Sequence, residues 1–324
     1  MSNELSAPTP PEDRSASLAL LIATLFWGAS FTWAKAAGER VLHAAGLPPG
    51  AALGPILVLG WRFIVAGILW IILFPRARRG WSAASVTRTL IIGVPLGIGM
   101  MSQHLGLDRT SEAVAAFLTS LTIIFVPLMM TIALRKPPRA TMWIGVITAA
   151  VGIYLMTGPT PRGFGWGELF GLFASILFSI YILAVNALTP LDDPIRLTAG
   201  QFFVAGFISL FTCLFVKGGE QVMLSRQAVT LVLAKNVVWS FSLLVIFATL
   251  GAYGILNRFQ PRVDATRAAL IYMVEPVFAS AFAWWMTGRG LQRAGLIGAA
   301  LILLANLVVE LLAARTRVKI VVLD

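Results

Sequence analysis

A carboxylate stands inside an apolar stretch, YMVEPVFASAFAWW (272–285), where Glu275 is followed by Pro276 and the flanking charges are as far away as Arg267 and Arg289. In a helix rising 1.5 Å per residue, Glu275 falls about 18 Å into a span predicted over 263–286, near the centre of a bilayer. An ionisable group at that depth turns toward the bundle interior. There it could receive a substrate ammonium, carry a proton, or bond to neighbouring helices as a structural clamp. Pro276 removes a backbone donor and lets the helix bend, and Pro127 in the fourth span is a second hinge candidate beside Pro95 in the third.

Other residues of similar promise lie within spans. Trp27 and Ser30 come from FWGAS in the first span, and Tyr181 comes from LFSIY at a comparable depth in the sixth. Tyr253 and Tyr272 carry hydroxyls that need partners, and aromatic faces can stack on a ring or an ammonium group. Thr119, Ser120 and Thr122 form a polar patch, able to bind substrate or to bond back to their own helix. His104 stands four residues before Asp108, so it could contact substrate, sense pH, or, as a weaker alternative, serve as the base of a membrane-embedded acyltransferase. Lys35 can snorkel, and Arg62 must reach the interface or pair with a carboxylate. Packing inside the bundle is the bland reading for each aromatic.

The elements that must position these groups are membrane spans. The 324 residues are 58% hydrophobic and 12% charged, outside soluble usage. Apolar runs of spanning length fall near 17–38, 54–74, 86–108, 112–134, 139–157, 165–188, 195–217, 235–257, 263–286 and 292–313. The fold class is therefore an all-α integral membrane protein of ten helices, with polar tails over 1–16 and 314–324. The remaining tryptophans fall nearer span ends and are expected in the interfacial belt.

Assigning alternate loops to opposite sides puts fourteen Lys and Arg on the side of both termini and eight on the other, with three inside spans. Both termini are then cytoplasmic. The net charge of +11 thus reads as topology, with the lipid bilayer rather than nucleic acid as partner. Cys213, alone in its type, allows no intrachain disulfide. No Walker A sequence, metal-ligand cluster or hydrolase motif is present, so neither cofactor nor metal is expected and any energy comes from a gradient.

Ten spans can be two inverted copies of five, over 17–157 and 165–313. A shift of 153 residues lays AAFLTSLTIIF (115–125) over AALIYMVEPVF (268–278), and WIGVITAAVG (143–152) over LIGAALILLA (296–305), with few identities but no gap.

Together LFWGASFTWAK (25–35), SEAVAAFLTSLTIIFVPLM (111–129), ATRAALIYMVEPVFASAFAW (265–284) and GLIGAALILLANLVV (295–309) give the chain a likeness over nearly its whole length. It resembles the drug/metabolite transporter superfamily, its EamA-type ten-helix exporters and, within them, YddG-like amino-acid exporters. The resemblance implies two inverted five-helix repeats around a central cavity, with efflux by alternating access from a bacterial inner membrane. The substrates implied are amino acids, aromatic ones included, and related small metabolites; multidrug or quaternary-cation efflux is the alternative. TGRGLQR (287–293) departs from the family, with Arg289 where an acid is usual. The oligomeric state stays open, a monomer being one option.

Overall fold

The computed structural model describes residues 14–109, 112–134, 140–157, 165–288, 293–305 and 308. Most of the two expected tails, and Arg289, lie outside the described residues. The helices are α1 (Arg14–Ala44), α2 (Leu53–Leu73), α3 (Ala83–Arg109), α4 in two pieces (Glu112–Ser120 and Thr122–Leu134) and α5 (Ala140–Thr157). They continue with α6 (Trp166–Leu188), α7 (Pro194–Cys213), α8 (Val238–Leu243, a π-helical segment Leu244–Gly251, and Ala252–Phe259) and α9 in two pieces (Ala265–Tyr272 and Glu275–Thr287). A shorter apolar helix, α10 (Arg293–Ala305), completes the described chain.

Among the described residues, seven helices are long and apolar enough to cross a membrane, and shorter apolar helices fall in α4, α5 and α10. Their outward surface suits lipid. Phe207 and Phe211, four residues apart on α7, and Phe215 just past its end are each more than 60% exposed, as a soluble surface would not tolerate.

Local sequence sets the ends. Asp193 caps α7 by accepting the Ile195 N–H at 2.9 Å, with Pro194 at the first helical position, where its missing donor costs nothing. Gly288, at φ 71°, ends α9 and sends its N–H to the Trp284 carbonyl at 2.8 Å. Residues between α7 and α8, expected as loop, form two short helices, Gly219–Met223 and Gln227–Val232.

The two halves interlock rather than sit side by side. Helix α3 packs along α6 and α7, while α1 packs along α8 and α9. Gly28 permits the last of these contacts: a Cβ there would lie 2.5 Å from Phe278 Cβ and 2.9 Å from the Ala279 nitrogen. On the side of the arginine-rich loops, Asp192 between α6 and α7 accepts Arg88 of α3 at 3.1 Å and Arg196 of α7 at 2.8 Å. Burial works to raise the Asp192 pKa, but hydrogen bonds from the Ser85 hydroxyl, the Asp193 N–H and Arg88, with the charge of Arg196, outweigh it and hold it below the ordinary value.

Two expectations are corrected here. Trp70, expected in the interfacial belt, is 8% exposed and donates its indole N–H to the Ile195 carbonyl at 2.9 Å. Arg62 neither reaches the interface nor meets a carboxylate. Fully buried, it donates Nε–H to the Thr249 hydroxyl and Nη2–H to the Ala248 carbonyl at 3.1 Å. A π-helical turn leaves carbonyls without their usual i+4 donor, which is what lets α8 receive a guanidinium from outside.

Candidate functional site

The sequence expects proline kinks; the structure instead breaks two helices. Helix α4 is interrupted at Leu121 and α9 at Met273 and Val274. Under the 153-residue shift Leu121 lies on Val274, and the backbone repeats the same detail. The Leu121 N–H bonds to Leu118 O and the Val274 N–H to Ile271 O, each three residues back. Ile124 and Phe125 both donate to Leu121 O, as Val277 and Phe278 both donate to Val274 O. Pro276 falls on Ile123 in this register, so the break at Leu121 forms without a proline at the matching place. Pro127 lies within the second piece of α4, six residues past its break.

Both breaks open on one cavity. Its empty space, the open mouth included, comes to about 600 Å³. Trp27 and Ser30 of α1, Thr119 and Thr122 of α4, Tyr181 of α6, Tyr253 of α8, and Tyr272 and Glu275 of α9 all line it. Ser120 of α4 lines it as well, so nine sequence-singled residues from five helices are brought together.

The aromatic rings form a continuous wall. Tyr272 meets Trp27 at 5.4 Å between centroids, Trp27 meets Tyr253 at 5.2 Å, and Tyr253 meets Tyr181 at 6.3 Å. Three of the four are held from behind. The Trp27 indole N–H donates to the Ala248 carbonyl at 3.2 Å, the same π-segment oxygen that Arg62 uses. Tyr253 donates to the Met100 sulfur at 3.3 Å, and Tyr272 donates to Gln260 Oε1 at 2.8 Å. Rings fixed in this way lose little further freedom when a ligand stacks on them.

Glu275 begins the second piece of α9, immediately past the break. A carboxylate at a helix start is favoured by the helix dipole, and the open backbone beside it is tolerated at membrane depth only because it lines a cavity. Among the described residues, no ion pair or hydrogen bond engages its side chain and no Lys or Arg lines the cavity. Across the site, Gln103 donates to Thr119 Oγ1 at 3.1 Å, while Thr119 and Ser120 donate back to Ala115 O and Ala116 O at 2.9 and 2.8 Å.

Three candidates stand apart from this cavity. His104 lies instead on a small cleft between α1, α2 and α3 with Lys35 and Asp108, its Nδ1 bonded to the Met100 carbonyl at 2.8 Å. Pro127 and Pro276 are buried but not on the wall. Sequence reasoning had not singled out Gln103 or the apolar Leu96, Met100, Phe178, Ile182 and Leu256, which complete the wall. Only Gln103, a polar residue inside a span, carried a usable signal; the apolar ones are indistinguishable from core by type.

The chain resembles known proteins over nearly its full length. A family described as the EamA-like transporter family matches twice, over residues 14–158 and 165–311. An uncharacterized transporter of Archaeoglobus fulgidus is 25% identical over 296 residues, 91% of this chain and 86% of that protein. Another uncharacterized transporter from the same organism is 24% identical over 267 residues, 80% of this chain and 86% of the relative. A solved crystal structure of a protein superposes with a TM-score of 0.66 at 17% identity, covering 93% of this chain and 98% of the other, a likeness of fold.

Proposed function

Because the chain belongs to the EamA-like transporter family, we propose that it is a secondary exporter of amino acids, aromatic ones included, and related small amphiphilic metabolites. The transport would run outward across a bacterial inner membrane by alternating access, with the two repeats, 17–157 and 165–313, as the moving bodies. The observation that carries this reading is Glu275, a carboxylate on the wall of an aromatic-lined cavity, at a helix break, with no Lys or Arg among the described residues that line the cavity. Such a group can meet a substrate ammonium or a proton. The rings of Trp27, Tyr253 and Tyr272 add a face for the cation and for an apolar or aromatic side chain. The Thr122 hydroxyl stands where the other break opens, next to a half-helix start, an arrangement suited to a substrate carboxylate, while the Thr119 and Ser120 hydroxyls donate to their own helix. The Lys and Arg bias places both termini in the cytoplasm.

One observation favours quaternary-cation efflux as a second reading. Among the described residues no Lys or Arg lines the cavity that holds Glu275, so a cation without a carboxylate is charge-matched by its ionised carboxylate. Uptake of labelled amino acids into proteoliposomes, with and without an imposed pH gradient, separates these outcomes for wild type and Glu275→Gln. Flux that follows the gradient in wild type and loses that response in the variant makes Glu275 the coupling carboxylate. Equal flux in both, indifferent to pH, reduces Glu275 to scaffolding, and flux of cationic dyes with none of amino acids replaces the first reading by the second.

A further inference from the structure

Each broken helix is tied to the helix before it by a glutamine, and the two ties correspond. In the first half, Gln103 of α3 donates Nε2–H to Thr119 Oγ1, on the first piece of α4, at 3.1 Å. In the second, Tyr272, which ends the first piece of α9, donates its O–H at 2.8 Å to Oε1 of Gln260, which directly follows α8. Under the 153-residue shift Thr119 lies on Tyr272, each two residues before the break at Leu121 or Val274. Gln103 falls on Leu256, one helical turn before Gln260, and the phenol of Tyr272 outreaches a threonine hydroxyl by about the rise of that turn.

What else the partners do fixes the direction of each bond. Thr119 spends its own proton on Ala115 O, so it can only accept from Gln103. Gln260 spends its N–H groups on the Ile182 carbonyl at 2.9 Å and Asn186 Oδ1 at 2.8 Å, which leaves its oxygen for Tyr272. All four side chains are buried, where such bonds escape competition from water. A break in a helix lets its first piece turn against the second, and here the tie is what holds that piece to its neighbour.

The ties lie at matching depths from opposite faces. Thr119 comes seven residues after the first residue of α4 and Tyr272 seven after that of α9, about 10 Å of helix rise in each. Helix α9 starts from the loop carrying Arg258 and Arg262, and α4 from the loop carrying Arg109, which alternate-loop topology puts on opposite sides. Gln103, Thr119 and Tyr272 all line the central cavity, so one tie stands toward each side of it. We propose that Gln103 and Gln260 are paired positioning residues for transport. Gln103 holds the first piece of α4 over the outer side of the cavity, Gln260 holds the first piece of α9 over the cytoplasmic side, and release of one tie at a time opens the cavity to that side. The inference rests on the reading of this cavity as the transport site.

Access to the cavity from each side tests this without any substrate. In a Cys213→Ala background, Ser30→Cys puts a single thiol on the cavity wall. A membrane-impermeant methanethiosulfonate reagent then reads its labelling rate from outside in spheroplasts and from the cytoplasmic side in inverted vesicles. Thr119→Val and Gln103→Leu remove the first tie from either end, and each should raise the outer rate about fivefold relative to the cytoplasmic one, the worth of one hydrogen bond. Tyr272→Phe keeps the ring and should shift the same ratio about fivefold the other way. A role in stability alone would move both rates together or neither. An unchanged ratio, or a shift in the same direction for both ties, overturns the inference; opposite shifts with the sides exchanged support the ties and reverse the topology. Flux of labelled amino acids in proteoliposomes is read on the same variants. Opposite shifts without flux of any amino acid support the ties and remove the export reading, whereas amino-acid flux in wild type with unshifted ratios keeps that reading and overturns the ties.

Discussion

Gly28→Ala tests the contact that places the site's two principal side chains. The added Cβ would sit 2.5 Å from Phe278 Cβ, 2.9 Å from the Ala279 nitrogen and 3.1 Å from the Glu275 carbonyl oxygen. Ordinary contact begins near 3.4 Å, so α1 and α9 must part by about 1 Å, and overpacking of this kind costs about 1–3 kcal/mol. Gly38→Ala, on the same helix, is the control. Its Cβ meets nothing nearer than the Pro55 nitrogen at 3.4 Å, so it keeps the helix-propensity gain of about 1 kcal/mol that both substitutions share. The two variants should therefore differ by about 2 kcal/mol, or several degrees in unfolding temperature at the scale of 2–4 °C per kcal/mol. Thermal unfolding of purified protein and flux in proteoliposomes read the pair. Because Trp27 adjoins Gly28 and Glu275 begins the helix piece against it, Gly28→Ala should lose flux as well as stability. Equal unfolding temperatures and equal flux for Gly28→Ala and Gly38→Ala would refute the placement of α1 on α9.

Thr249→Val keeps shape but removes the acceptor of the buried Arg62 Nε–H and the hydroxyl that donates to the Leu244 carbonyl at 2.9 Å. A loss of about 2–3 kcal/mol is expected from the stranded guanidinium N–H, and an unchanged unfolding temperature would remove Thr249 as the clamp of the π segment. Asp192→Asn should destabilise by about 1–3 kcal/mol, since the carboxylate is buried but its two arginine partners are partly exposed. The folded pKa of Asp192 lies below the ordinary 3.8. Its contribution is therefore fully present above that value and fades as pH falls through the lower folded one, so the gap between wild type and Asp192→Asn should close only in strong acid. A gap that closes between pH 5 and 7 would contradict this.

The spans were legible because bilayer thickness forces long apolar runs. Glu275, Tyr253 and Tyr272 were legible because a polar atom inside a span must face something other than lipid. Arg62 was misjudged for a related reason: the rule that a buried cation needs a carboxylate overlooks backbone carbonyls released by a π turn, and LVIFATLG announces no such turn. His104 falls outside the central cavity because depth in a span does not fix azimuth. It sits one residue from Gln103 on α3, and that single step of about 100° moves it from the cavity wall to a separate cleft. Apolar wall residues such as Leu96 and Leu256 had no signal, since lining and packing demand the same residue types.

The two helix breaks explain why one acid can be kept at membrane depth. In α4 the residues around the break are Thr119, Ser120 and Thr122, whose hydroxyls can return to their own helix and need no counter-charge. At the same register α9 carries Tyr272 and Glu275, which cannot be satisfied that way. Tyr272 reaches Gln260 instead, and Glu275 is left facing the cavity. The repeat thus supplies the same backbone interruption twice, and divergence of a few side chains has made one copy neutral and the other acidic. Proline is secondary to this, because the α4 break forms with Ile123 where α9 has Pro276. The break therefore comes from the fold that both halves share, while the chemistry comes from what each half places beside it.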